Sequence, residues 1–248
     1  MTTIYILWLR QLKRFFRSRS RVLGSVAQPL LFLIALGFGF GPIYQRAGRG
    51  NFMEFLAPGI ISMTILFSSV FNGIEIIWDR QFGFLKETLV APVSRMGIML
   101  GRTAGGATVS LLQALLVFVL SMAVGFRPAS WGNLPLALVF MVLIAVLFTA
   151  MGTAIASLLE DFQGFQVIMN FLVQPLFFLS GALFPLEGLP KALGIVARVD
   201  LLSYGVDGLR ATLAGISYFG LGTDLVVLML ASLVVLAVGS YLFSKIQI

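Results

Sequence analysis

Six stretches of roughly twenty or more mostly apolar residues follow one another along the chain, and nothing else in the sequence limits its fold as tightly. They run Val22–Ile43, Phe55–Trp78, Thr103–Phe126, Leu134–Leu159, Phe162–Phe184 and Asp224–Phe243. An apolar run of about 20 residues, wound as a helix, matches the hydrocarbon thickness of a bilayer. Only 11% of the 248 residues are charged and 59% are hydrophobic. A soluble domain carries roughly a quarter charged residues, so this chain cannot cover a water-facing surface of its own size. Lipid must solvate most side chains. Backbone polar groups must then be satisfied within each segment, which selects helices. The expected fold is an all-α membrane protein, one transmembrane domain over residues 1–248 with no sizeable soluble part. The first run is too long for a cleavable signal and lacks an A-x-A-like exit.

Much chemistry is excluded. The chain has no cysteine and no histidine, which removes disulfides, thiolate and imidazole catalysis and His/Cys metal sites together. Glu160 and Asp161 are adjacent, so on a helix they point about 100° apart and make a poor acid/base pair. No Gly-rich loop ending in Gly-Lys-Ser/Thr is present, so ATP is not bound by that route. The net charge of +7 does not indicate nucleic acid, because the cations are dispersed between the apolar runs. No cofactor or metal is expected on this chain.

The placement of Lys and Arg gives an orientation. Eleven lie before the first run, between the second and third, and after the last; the other six, Arg46, Arg49, Arg127, Lys191, Arg198 and Arg210, lie on the opposite side. The positive-inside rule puts both termini in the cytoplasm, with a bacterial inner membrane as the expected location.

Residues 1–21 form an amphipathic interface helix by pattern. Arg10, Lys13, Arg14, Arg17 and Arg21 fall on one face and Tyr5, Trp8, Leu9, Leu12, Phe15 and Phe16 on the other. Such a helix lies in the headgroup layer with its cations toward anionic lipid. It is either an orientation signal alone or an element that also touches a cytoplasmic partner. The loop 79–95 predicts a short helix over Phe82–Leu89, stopped by Pro92. On the outer side, residues 181–223 contain apolar pieces broken by Gly and Pro. A pair of re-entrant half-helices near Gly181–Val199 is expected there, since freed backbone groups at membrane depth need cover.

Polar residues inside the runs are few. Gln163, Gln166, Asn170 and Gln174, spaced 3, 4 and 4, share one helix face. They either bond neighbouring helices or line a path for polar parts of a substrate. Phe177 and Phe178 follow as a candidate apolar constriction, with Pro175 a candidate kink. Asn72 and Glu75 lie near the inner end of the second run, where Glu75 either serves function or reaches the interface. Gly97, Gly101 and Gly105 form a small-residue ridge expected to pack within the chain.

Three pieces, in order, resemble the type-2 ABC exporter permease family. Leu85-Lys86-Glu87-Thr88-Leu89-Val90-Ala91-Pro92-Val93-Ser94-Arg95 with Gly101-Arg102 is similar to its inner-loop pattern. Leu179-Ser180-Gly181-Ala182-Leu183-Phe184-Pro185 is similar to its Ser-Gly-x-x-Phe-Pro outer segment. Leu201 to Arg210 resembles its Asn-Pro-x-x-Tyr-x-x-Asp-x-x-Arg segment, with Leu201-Leu202 in place of Asn-Pro. The drug-resistance and nodulation-export branches resemble it most. The resemblance implies a six-span permease that pairs with a second copy of itself and with two separate ATPase subunits. ATP and Mg would bind on those partners. It makes Phe82–Leu89 the coupling helix, with Phe84, Glu87, Pro92, Arg95 and Arg14 at the joint. Asn72, Glu75, Gln166, Asn170, Gln174, Phe177 and Phe178 are the candidate substrate path for an amphiphile such as a drug, a lipid or a lipid-linked sugar. An ion-driven carrier and a non-transporting scaffold are the alternatives.

Overall fold

The computed structural model describes residues 2–47, 50–84, 93–188 and 190–245. Among them, the regular structure is helical. Helix α1 (Thr2–Arg17) precedes α2 (Arg19–Arg46). Helix α3 (Phe52–Asn72) continues after a turn at Gly73 as α4 (Ile74–Gln81). Helix α5 spans Arg95–Ala123, and a short 3₁₀ turn at Trp131–Asn133 opens α6 (Leu134–Leu158). Then come α7 (Phe162–Ile168), a π-helical turn at Met169–Val173 and α8 (Gln174–Leu179). Helices α9 (Lys191–Val199), α10 (Leu201–Ala214) and α11 (Leu221–Ser244) complete the chain.

Six segments are long and apolar enough to cross a bilayer: Val22–Arg46, Phe52–Gln81, Arg95–Ala123, Trp131–Leu158, Phe162–Leu179 and Leu221–Ser244. All six expected spans are present, and the chain is a multi-pass membrane protein. The third begins eight residues earlier than its apolar run, because Ser94 caps it: its Oγ accepts the Gly97 N–H at 3.1 Å. The fifth ends at Leu179 rather than Phe184, where Ser180 and Gly181 turn the chain. Six crossings leave α1, α4 and the C-terminus at one end, called here the near end. The loops before α3, α6 and α11 lie at the far end.

Helix α3 is the centre of the bundle. Of its apolar window 78% is buried, against 17% for α2 and α11 and 22% for α7–α8. It packs on α2, α5, α6 and α10. Phe140, Phe148, Ile60, Ile61 and Leu66 are among its large enclosed side chains and those of α6. The approach of α3 to α6 is set by glycine: a Cβ on Gly73 or on Gly152 would run into the other helix's backbone. The three less buried spans present apolar surface to lipid or to another subunit.

Pro175 stands just after a π-helical turn, Met169–Val173. It lacks an N–H and its ring crowds the carbonyl four residues back. The helix relieves this by widening into the π turn just before it.

One half-helix lies within the expected stretch and the other just after it. Residues 181–188 are turns, with Gly181 at φ +75° and Gly188 at φ +80°. The helical pair is α9 and α10, of 9 and 14 residues. At 1.5 Å per residue neither crosses about 30 Å of hydrocarbon, so the pair forms a hairpin at the far end. Asp200 separates them: its Oδ1 accepts the Leu202 N–H at 2.8 Å, and Gly215 at φ +74° closes α10. Burial pushes the Asp200 carboxyl up to about 7.

Helix α1 also differs from its wheel pattern. Leu7, Gln11 and Phe15 are buried, whereas Tyr5 and Phe16 are exposed. The expected apolar face is therefore split. The reason is α5: Gly101 meets Ile4 and Leu7, Gly105 meets Gln11, and the Trp8 Nε1–H donates to Thr108 Oγ1 at 3.0 Å. Two glycines of the ridge thus pack inside the chain, against this helix. Gly97 meets only Ser94.

Candidate functional site

Two adjoining features occupy the near half of the bundle. The first is an ionic joint. Asp79 on α4 is buried and meets the Arg10 guanidinium of α1 at 3.0 Å and that of Arg102 on α5 at 2.5 Å. One turn back, Glu75 meets Arg14 of α1 at 3.6 Å. Arg14 also lies over the Trp78 ring at 5.5 Å, and Arg10 over Phe84 at 4.7 Å. Arg80 donates to the carbonyls of Leu159 and Ser157 at 2.8 and 3.2 Å, which ties α4 to the end of α6. Carboxylates at i and i+4 on one short helix therefore hold α1, α5 and α4 together at the base of the 79–95 loop. With both partners desolvated, the Asp79–Arg102 pair is costly to break from one side.

The second is a cavity of about 600 Å³ between α2, α3, α4, α5 and α8. Apolar walls come from Met63, Phe67, Phe71 and Trp78, and polar ones from Gln28, Thr64, Asn72, Glu75, Gln113 and Gln174. The Asn72 amide donates to Gly106 O at 3.0 Å and Ser110 Oγ at 3.2 Å, so it faces the cavity in a fixed pose. Gln113 is buried and its Oε1 has no partner. Volume and mixed lining fit a small amphiphilic ligand.

The expected residues distribute as follows. Asn72, Glu75 and Gln174 line the cavity. Gln166 and Asn170 are exposed on the outer surface of α7 and the π turn and do not line it. Phe177 is buried against Phe67, ring centroids 5.9 Å apart, while Phe178 beside it is exposed. Arg14 and Phe84 meet at the joint through Glu75, Trp78 and Arg10. Arg95 opens α5, half-buried. Phe82 and Gly83 form a turn, with Gly83 at φ +78°. The expected coupling helix otherwise lies outside the described residues, as do Glu87 and Pro92.

The sequence profile of the ABC-2 type transporter family matches residues 2–214. The chain belongs to that family. Nodulation protein J of Rhizobium leguminosarum bv. trifolii is 29% identical over 213 residues, covering 85% of this chain and 78% of its own. A protein described as transport permease ycf38, from Cyanophora paradoxa, is 27% identical over 263 residues, covering 98% of this chain and 88% of its own. Nodulation protein J of Rhizobium meliloti (strain 1021) is 28% identical over 196 residues, with 78% and 74% covered. Membership makes this ABC-2 chain a membrane transport component of permease type. It also puts both features, joint and cavity, within the matched residues.

Several residues of this ABC-2 permease were not singled out from the sequence as site residues. Asp79 and Arg102 each border an apolar run in the sequence, and the structure places Arg102 seven residues into α5, facing Asp79. Gln28 and Gln113 each stand as a single amide within an apolar run. Asp224 read as the boundary of the sixth run, yet it is completely buried.

Proposed function

We propose that this chain is the membrane subunit of an ATP-driven exporter that moves an amphiphile outward. The observation that carries the reading is the stacking of the mixed-polarity cavity directly on the ionic joint, with Glu75 and Trp78 belonging to both. A push on the 79–95 loop from the near side reaches α4 first. Through Asp79 and Glu75 it then moves α1 and α5 as one body and changes the cavity's floor. In this reading the energy source is a separate ATPase, two copies per transporter, on which ATP and Mg would bind; membership of a transporter family supports that class of partner. Two copies of the chain would bring the less buried spans together and enclose the exposed amides Gln166 and Asn170. The near end is then cytoplasmic, in accord with its basic residues, and α1 lies at the lipid interface beside the ATPase. The bacterial inner membrane is the corresponding location.

The test is reconstitution of the chain with the ATPase that co-purifies with it. Substrate-stimulated ATP hydrolysis in liposomes supports the reading. Glu87→Arg should separate hydrolysis from transport; unchanged rates of both would refute the coupling role of that loop. A second reading, an ion-driven carrier, draws on the buried acid Asp224 inside a span. Transport that runs on an ion gradient without ATPase would favour it.

A further inference from the structure

At the far end, two carboxyl groups meet where charge is poorly tolerated. Asp207 lies on α10 and is buried; Asp224 lies in the first turn of α11 and is completely enclosed. Asp207 is well supplied with donors. Its oxygens accept the backbone N–H of Tyr218 at 2.8 and 2.9 Å, that of Phe219 at 2.7 Å and the Ser217 hydroxyl at 3.2 Å. Asp224 has none: neither carboxyl oxygen finds a partner, and the side chain that it meets within hydrogen-bonding reach is Asp207.

Arg210, one turn along from Asp207, does not resolve this. Its guanidinium donates to the carbonyls of Phe55 at 3.3 Å and Gly181 at 2.9 Å, and it covers the Phe55 ring at 3.8 Å. Among the described residues no cation makes an ion pair with either acid. The other elements around the pair bring little charge. Helix α6 has no charged residue, and those of α5 sit at the near end. Helix α3 brings Glu54 in its first turn, α9 brings Lys191 and Arg198, and the turn before α9 brings Glu187. Tyr204, three residues back on the same face of α10, stacks on Phe219 with ring centroids 4.7 Å apart, Asp200 caps the start of that helix, and Tyr44 and Tyr218 line the cavity beside Asp207. Arg127 precedes Ala129, whose N–H bonds Leu213 O.

Two ionised carboxylates in contact, one of them with no donor at all, repel and lose hydration together. A single hydrogen between them turns repulsion into a bond and satisfies the orphaned oxygen. We infer that Asp207 and Asp224 form a proton-binding site, one proton shared by two carboxyls, that fastens the α9–α10 hairpin to the sixth span. The cavity of about 300 Å³ lined by Asp207, Arg210, Ser217 and Tyr218 gives the proton a route to the far-side solution. When the proton leaves, the hairpin and the span part, because Asp207 keeps its backbone donors and Asp224 keeps nothing. The site thus makes the fastening of the hairpin sensitive to far-side alkalinity.

The purified full chain in lipid nanodiscs tests this by infrared spectroscopy and by thermal unfolding across a pH series. Measured in an Asp200→Asn background, which removes the other raised carboxyl of the hairpin, the chain should show the carbonyl stretch of a buried carboxylic acid at neutral pH. That band should vanish on moving to alkaline buffer, with a parallel fall in the unfolding temperature. Asp224→Asn supplies its own N–H to Asp207 and needs no proton. It should fold, lack that band and lose the alkaline part of the pH dependence. Asp224→Glu should retain both band and dependence. An Asp224→Asn profile that falls with alkali as its parent does would overturn the inference. So would absence of the band at neutral pH, or a parent chain restored at alkaline pH by sodium or potassium, which would make the occupant a metal cation.

Discussion

The Arg102 guanidinium on α5 and the Asp79 carboxylate on α4 meet at 2.5 Å, and both side chains are buried. Arg10 approaches the same carboxylate from α1, but its side chain is 36% exposed, so water shares its charge. The two arginines are therefore unequal. Asp79→Ala leaves Arg102 charged, buried and unpaired, a loss of about 3–5 kcal/mol for a broken buried pair. Arg10→Ala costs at most about 1 kcal/mol, as for a half-exposed pair. Thermal unfolding of the two variants in detergent should separate them clearly. The double variant Asp79→Leu/Arg102→Met should recover most of the stability while losing transport. Equal effects of the two single changes would contradict the joint as described.

The seat of α1 on α5 gives a second expectation. A Cβ at Gly101 would lie 3.1 Å from the Ile4 Cα, a backbone atom that cannot swing away. Gly101→Leu should push α1 off α5 at a cost of about 1–3 kcal/mol. Trypsin should then cut at Lys13, Arg14 and Arg17 faster than in the wild type. Gly97→Ala, on the same ridge but facing only Ser94, should leave the cleavage rate unchanged.

Asp200 carries a pH expectation of defined sign. Its carboxyl moves from an ordinary value of 3.8 to about 7 on folding, chiefly through burial. A raised acid binds more protons folded than unfolded, so stability falls as pH rises from about 4 to about 7 and is flat beyond. Asp200→Asn keeps an oxygen for the Leu202 N–H and does not ionise. It should match the wild type in acid and exceed it at pH 8, by an amount on the order of a few kcal/mol. Unfolding curves at the two pH values decide it. A constant offset between the proteins would show that burial of the charge is not the cause.

Much of the fold could be read from the sequence because membrane spans are set by length and polarity alone. All six runs became spans, and the Gly101 and Gly105 ridge found a partner within the chain. The misreadings came where a third party acts. Helix α5 decides which face of α1 is inward, and no wheel drawn on α1 alone contains that information. The 14 residues of α10 are too short and too polar to register as a span, so Asp207 and Arg210 stood out as part of a family-like segment but not as buried residues of a helix. Pro175 signalled a disturbance but not its form. The site was legible where polarity interrupted a run, at Asn72, Glu75 and Gln174. It was illegible where the polar residue closed a run or stood singly, as with Asp79, Asp224 and Gln113.

Gln113 provides the sharpest test of the cavity. Its Oε1 is buried without a partner, a condition that costs about 1–3 kcal/mol. A bound head group whose hydroxyl or amine hydrogen reached this oxygen would offset that cost. Gln113→Leu removes the orphaned oxygen and keeps nearly the same volume. The unfolding temperature should stay level or rise. Apparent affinity for a transported amphiphile should fall roughly 2- to 12-fold, the range for one lost hydrogen bond of about 0.5–1.5 kcal/mol. Gln166→Leu, outside the cavity, should leave the affinity of a single chain's site unchanged. If the two variants lost affinity equally, the path would run along the exposed face of α7 and the cavity would be a packing defect. A loss confined to Gln113→Leu, with stability kept, would identify the cavity as the place where cargo sits.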